Sequence, residues 1–313
     1  MDTIYILFSF AVSLTLLIAS QKIFLSKNIV DKINDRSSHS SISTRSGGIS
    51  IFLTLFIISC YFYINGYTIF NYSLIIPLSL LMVVGLYDDI NGIDFKLKFI
   101  FQIIAAKIII DNGLIIDNLH GFAGFFEINR VIAQLLTIFI ILAIINAINF
   151  IDGIDGLAIS ITALFILSFE FFSISITPYI NLSQIILSAL IPLYYFNFRK
   201  KNKVFLGDSG SLFLGGIISV YVITILSNDY IIKPEFDLHK ILFVFSILFF
   251  PVFDITRVVF FRLRRGKSPF YPDKNHIHHK ILEIVKRHDL AVLIILTTSV
   301  FILFLIQILS RLI

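Results

Sequence analysis

The chain has 313 residues, 57% of them hydrophobic and 14% charged, with 34 Phe and a mean hydropathy of +0.93. Soluble domains run nearer roughly 45–50% apolar and about 25% charged. No water-soluble fold of this length hides that much apolar surface, so the chain needs lipid as its solvent. The net charge of +5 is small, and the basic residues sit in short loops between apolar runs. That excludes a nucleic-acid-binding domain, and the single cysteine, Cys60, excludes an intrachain disulfide.

Backbone groups in hydrocarbon must be satisfied within the segment, so the apolar runs read as helices. The expected spans are about 3–20, 48–65, 69–87, 97–111, 131–148, 157–175, 180–197, 211–228, 240–260 and 290–311. They make an all-α polytopic membrane bundle of about ten transmembrane helices, ten or eleven, in one domain covering 1–313. No basic residue precedes the first run, and Lys22 and Lys27 follow it. That pattern reads as an uncleaved span with an exported N-terminus.

Polar motifs interrupt this series. The first loop carries Arg36, His39, Arg45 and Gly47-Gly48. The third span ends in Asp88-Asp89, a pair costly at a membrane edge without a cation or shared proton, or else a solvated helix end. The short fourth span carries Gln102 and Lys107, with Lys98 at its start. A loop at 112–130 reads as a small exported hairpin.

From the end of the fifth span onward Asn146, Asn149, Asp152 and Asp155 recur every three residues. On a helix they drift slowly around one face and suit a metal ion, a phosphate-bound metal or a nucleobase. Lys203 reads as one of the loop charges at 198–210. At 207–211, Asp208 precedes Ser209, Gly210 and Ser211. This is either a plain N-cap or a helix start whose donors take phosphate. A last basic loop holds Arg262, Arg265, His276, His278 and His279. It suits anionic lipid, zinc or, more naturally, a phosphate-rich substrate held by Arg forks and His donors.

Alternating the spans places 18 Lys and Arg in loops on one side, against Arg130 and Lys233 on the other. By the positive-inside rule the first side is cytoplasmic, and every polar motif falls there. Hard carboxylate and amide oxygens favour Mg²⁺, or Mn²⁺, carrying substrate phosphates. Cations beside the metal favour a diphosphate. An active site at the cytoplasmic face implies one soluble and one lipid substrate.

The strings YDD, NxxNxxDGxDGL, GDxGS and HxHH occur in this order along nearly the whole chain. In this it resembles the polyprenyl-phosphate N-acetylhexosamine-1-phosphate transferases, the MraY/WecA-type family also called glycosyltransferase family 4. It is closer to the O-antigen or teichoic-acid initiating branch than to the branch acting on UDP-MurNAc-pentapeptide. The resemblance implies transfer of sugar-1-phosphate, first GlcNAc-1-phosphate, from a UDP-N-acetylhexosamine to undecaprenyl or another polyprenyl phosphate, with release of UMP.

It also implies roles for residues. Asp208 with Asn149 would hold Mg²⁺. Asp88 and Asp89 would stand near the lipid phosphate, with Lys98 on a phosphate. Asp152 and Asp155 would line the nucleotide site. Asn146, His276, His278 and His279, with Arg262 or Arg265, would hold nucleotide or phosphate. It implies a multi-pass protein of the bacterial inner membrane, bound by membrane lipid, without nucleic acid, and with room for a homodimer. Relatives usually carry prolines in the first loop, where Ile33 and Ser43 stand here. The competing reading is an ion-coupled transporter using intramembrane carboxylates, which expects polar residues near mid-bilayer.

Overall fold

A computed structural model describes residues 3–31, 43–227, 230–234, 236, 239–266, 268 and 276–310. Ile33, Asn34, Arg36 and His39 of the first-loop motif lie outside the described residues.

The ten apolar runs are helical. They form α1 (Thr3–Ser26), α2 (Gly47–Ile64), α3 (Ile75–Asn91), α4 (Phe95–Asp111), α5 (Arg130–Ile151), α6 (Leu157–Phe172), α7 (Ile180–Asn197), α8 (Gly207–Leu226), the pair α9 (Lys240–Ile247) and α10 (Phe249–Arg264), and α12 (His288–Ser310). By length and composition six of them can cross a membrane alone. The count is seven if α9 and α10 together form one span. Side chains such as Leu7, Phe56, Val83, Phe139 and Phe301 stand exposed on the helices, an arrangement that only lipid makes favourable.

The run 240–260 departs from expectation. It breaks into two helices bent by 74°. Pro251 supplies the reason, because its ring has no N–H and clashes with the carbonyl four residues back, Ile247, where α9 ends. The expected loop 261–289 contains a further helix, α11 (Ile277–Val285). The expected hairpin at 112–130 is present, with Leu119 N–H donating to Phe126 O (2.8 Å) and Ile128 N–H to Asp117 O (2.9 Å).

The chain groups into two compact units. The first holds residues 1–112 and 176–217, the second 113–175 and 218–313. In the first, two short strands, β1 (Ser43–Thr44) and β2 (Lys203–Val204), pair in parallel. Lys203 is therefore no loose loop charge. It is buried in β2, its ammonium 5.3 Å from the Phe205 ring centre.

Candidate active site

The site in the first unit is built around the start of α8. Every residue of α8 is buried except Asp208, whose side chain is 30% exposed. Three glycines allow this start to be enclosed. A Cβ on Gly48 would lie 2.1 Å from the Gly210 nitrogen, and one on Gly85 would lie 2.3 Å from the Asp208 carbonyl. The approach to α8 is tied down as well. Gly47 and Gly48 donate their N–H groups to the carbonyls of Phe205 (3.0 Å) and Leu206 (2.9 Å), and Phe205 N–H reaches Thr44 O.

The acidic pair closes on this start from α3. Asp89 is fully buried at its side chain. It accepts the backbone N–H of Asp208 on one oxygen and of Ser209 on the other, both at 2.9 Å. Of the donors expected to take phosphate at this helix start, the Ser209 amide is thus already held by a protein carboxylate.

Asp88 accepts the Ile93 N–H at 2.8 Å, fixing the turn into α4, and Asp94 caps that helix. The turn brings Lys98 back over the end of α3. Its ammonium lies 2.7 Å from Asp88 Oδ2 and 2.5 Å from Asp208 Oδ2. Arg45 completes the cluster, 2.6 Å from Asp31 and 3.8 Å from Asp89. Burial alone would lower the Arg45 pKa, but the carboxylates of Asp31, Asp89 and Asp208 outweigh it and hold the guanidinium raised.

The second unit carries the remaining motif residues. Asn146 and Asn149 lie on α5, but Asp152 is its C-cap and Asp155 falls in the following turn. The three-residue spacing therefore follows a helix only at its start. Gly156 at φ +76° opens the way into α6. Asp155 is nine-tenths buried, with Oδ2 2.9 Å from His288 Nδ1.

His276 and His278 are buried and converge on Asp254 of α10, which has no exposed side-chain surface. Asp254 Oδ2 lies 3.2 Å from His276 Nδ1 and 2.9 Å from His278 Nδ1, and Oδ1 accepts the Ile277 N–H at 2.8 Å. Burial pushes the His278 imidazole below its usual pKa despite the carboxylate. Arg262 is buried, 3.5 Å from His276 Nε2, with the Phe150 ring stacked on His276. Arg265 is exposed beyond the end of α10.

Residues 71–226 match the family described as Glycosyl transferase family 4. The chain is 31% identical over 288 residues to a decaprenyl-phosphate N-acetylglucosaminephosphotransferase of Mycobacterium tuberculosis, spanning 83% of this chain and 70% of that one. It is 30% identical over 301 residues to a probable undecaprenyl-phosphate N-acetylglucosaminyl 1-phosphate transferase of Bacillus subtilis, spanning 93% and 81%. A Yersinia pestis undecaprenyl-phosphate alpha-N-acetylglucosaminyl 1-phosphate transferase is 28% identical over 290 residues, spanning 88% and 76%.

The chain belongs to glycosyl transferase family 4.

For this family 4 transferase the matched stretch runs from just before α3 to the end of α8. It includes Asp88, Asp89, Lys98, Asn146, Asn149, Asp152, Asp155 and Asp208. Arg45, Asp254 and the histidines lie outside it. Nothing in the match or the relatives supports the transporter alternative. Sequence reasoning missed two partners of motif residues. Asp254 had a signal, a lone carboxylate inside an apolar run. His288 had none, because only folding sets it against Asp155.

Proposed function

We propose that this family 4 transferase moves N-acetylglucosamine-1-phosphate from its UDP-sugar to undecaprenyl phosphate or a related polyprenyl phosphate. UMP leaves, and a lipid-linked precursor of a cell-surface polysaccharide such as O-antigen begins. We place it in the bacterial inner membrane with the motif loops cytoplasmic, on the strength of the loop charge bias. The relatives' names support the polyprenyl phosphate acceptor and the N-acetylglucosamine phosphate that is moved.

The observation that carries the reading is the convergence of Asp88 Oδ2 and Asp208 Oδ2 on a single cation, the Lys98 ammonium. Two hard oxygens sharing one positive neighbour are also a donor set that fits Mg²⁺. Asp208, the most open of these carboxylates, would hold the ion with Asp88 beside it. Asn149, the other expected ligand, sits on α5 in the second unit. When bound, Mg²⁺ supplies charge neutralisation to the diphosphate of the UDP-sugar.

The rest is done by the chain's own residues. A phosphate monoester has its second pKa near about 6, so the lipid phosphate is already largely a dianion at neutral pH. It needs little help from a base. The barrier is anion attacking anion, and Lys98 and Arg45 offset that repulsion. An oxygen of the lipid phosphate attacks the sugar-bearing phosphorus, and the bond to UMP breaks. Asp89 acts by position, since both of its oxygens are spent holding the start of α8. Asp152, Asp155 and the histidines, all in the second unit, would hold the nucleotide sugar.

Exchange of labelled UMP into UDP-GlcNAc, dependent on polyprenyl phosphate, tests the proposal. Exchange with UDP-GlcNAc but not UDP-glucose is expected, and exchange without any lipid acceptor would overturn direct transfer.

A further inference from the structure

Asp254 has no part in the chemistry above, yet among the described residues it is the most completely buried carboxylate of the second unit. An uncompensated charge there would cost several kcal/mol. Here three donors compensate it: His276 Nδ1, His278 Nδ1 and the Ile277 N–H, with Arg257 3.5 Å from Oδ1.

The same three side chains, Asp254, His276 and His278, also cluster closely enough to hold a metal ion. The neighbouring guanidinium argues against one. Arg262 NH2 lies 3.5 Å from His276 Nε2, and a guanidinium can only donate. Nε2 of His276 must then carry the lone pair, and Nδ1 the hydrogen. A protonated Nδ1 donates to Asp254 and cannot ligate a metal. His278 Nδ1 lies 2.9 Å from the same carboxylate oxygen, which accepts, so it carries its hydrogen there too. Its Nε2 has no hydrogen-bond partner among the described residues and is closed over by Gly153, where an added Cβ would lie 3.0 Å away. His279 flanks the same glycine at 2.9 Å. The histidines thus brace the turn 152–156 that carries Asp152 and Asp155.

We infer that Asp254 is a positioning residue for the second unit's motif residues, those proposed to hold the nucleotide sugar. By accepting Nδ1–H from both His276 and His278 it fixes their tautomers and seats their rings against Arg262 and Gly153, and so holds the turn between α5 and α6. The kinetic part of this inference rests on the proposed transfer reaction; the tautomers do not.

Two measurements on the full chain in detergent test it. In ¹⁵N-histidine NMR, with lines assigned through His276→Gln and His278→Gln, both rings should show the Nδ1–H neutral form. An Nε2–H form for either ring overturns the inference even if no transfer is ever observed. Asp254→Asn is nearly isosteric but cannot accept from both rings and from Ile277. It should convert at least one ring to the Nε2–H form. It should also raise KM for UDP-GlcNAc by roughly 10- to 100-fold, the loss of one hydrogen bond to a charged group. KM for polyprenyl phosphate should stay within about twofold. Equal rises in both KM values, or unchanged tautomers, would show Asp254 to be a structural residue only.

Discussion

Asp208 is where the site opens. It sits at the head of an otherwise buried helix, its backbone gripped by Asp89 and its carboxylate paired with Lys98. Asp208→Asn keeps the shape and removes the charge, so it should lower transfer by at least about 10³-fold while the protein stays folded. Near-normal turnover would remove Asp208 from the metal role. Lys98→Met leaves two carboxylates facing one another without their shared cation. It should cost about 10²-fold in kcat and also lower the unfolding midpoint, because a largely buried ion cluster has lost the ammonium that its two carboxylates share. At this scale the sequence was legible where residues come as motifs. Asp88, Asp89, Lys98 and Asp208 were read as parts of one chemistry, and the structure brings them together. It was not legible where a role depends on a contact across the fold. His288 looks like one more loop residue, Lys203 like one more loop charge, and only packing shows otherwise.

Helices meet at the site through glycine rather than through large side chains. Gly85 on α3 packs against the backbone of Asp208 and Ser209, which cannot move aside, whereas Gly216 on α8 faces the tips of Leu78 and Leu81, which can. Gly85→Ala should therefore destabilise by more than the ~1–3 kcal/mol usual for overpacking and separate the Asp pair from Asp208. Gly216→Ala should cost less and leave transfer largely intact. Thermal unfolding in detergent and exchange rates read the two, and equal effects would refute the backbone argument. Helix positions were legible because an apolar run in lipid has little other option. Breaks and additions were harder. The 74° bend between α9 and α10 follows from Pro251, a residue visible in the sequence but silent about whether a membrane helix tolerates it. The α11 helix was hidden in a loop chosen for its charges and histidines.

The orientation of the whole molecule rests on loop charge, and the first unit turns that into a test. Gly47 at the start of α2 is hydrogen-bonded to Phe205, so the loop containing Lys201 lies at that end of the helix. Tyr67 lies just beyond the other end, 64% exposed. The 18 residues of α2 rise about 27 Å, close to the hydrocarbon thickness. If α2 spans, residues 67 and 201 must face opposite sides, whatever the status of the shorter helices α4 and α6. The chain has one cysteine, Cys60, so Cys60→Ala gives a clean background. In it, Tyr67→Cys should react with a membrane-impermeant maleimide in intact spheroplasts. Lys201→Cys should react only in inverted vesicles or after permeabilisation. The reverse pattern would put the Asp208 cluster outside, away from any supply of UDP-sugar, and reject the reaction with the topology. Labelling of both from one side would instead reject α2 as a span and leave the chemistry standing.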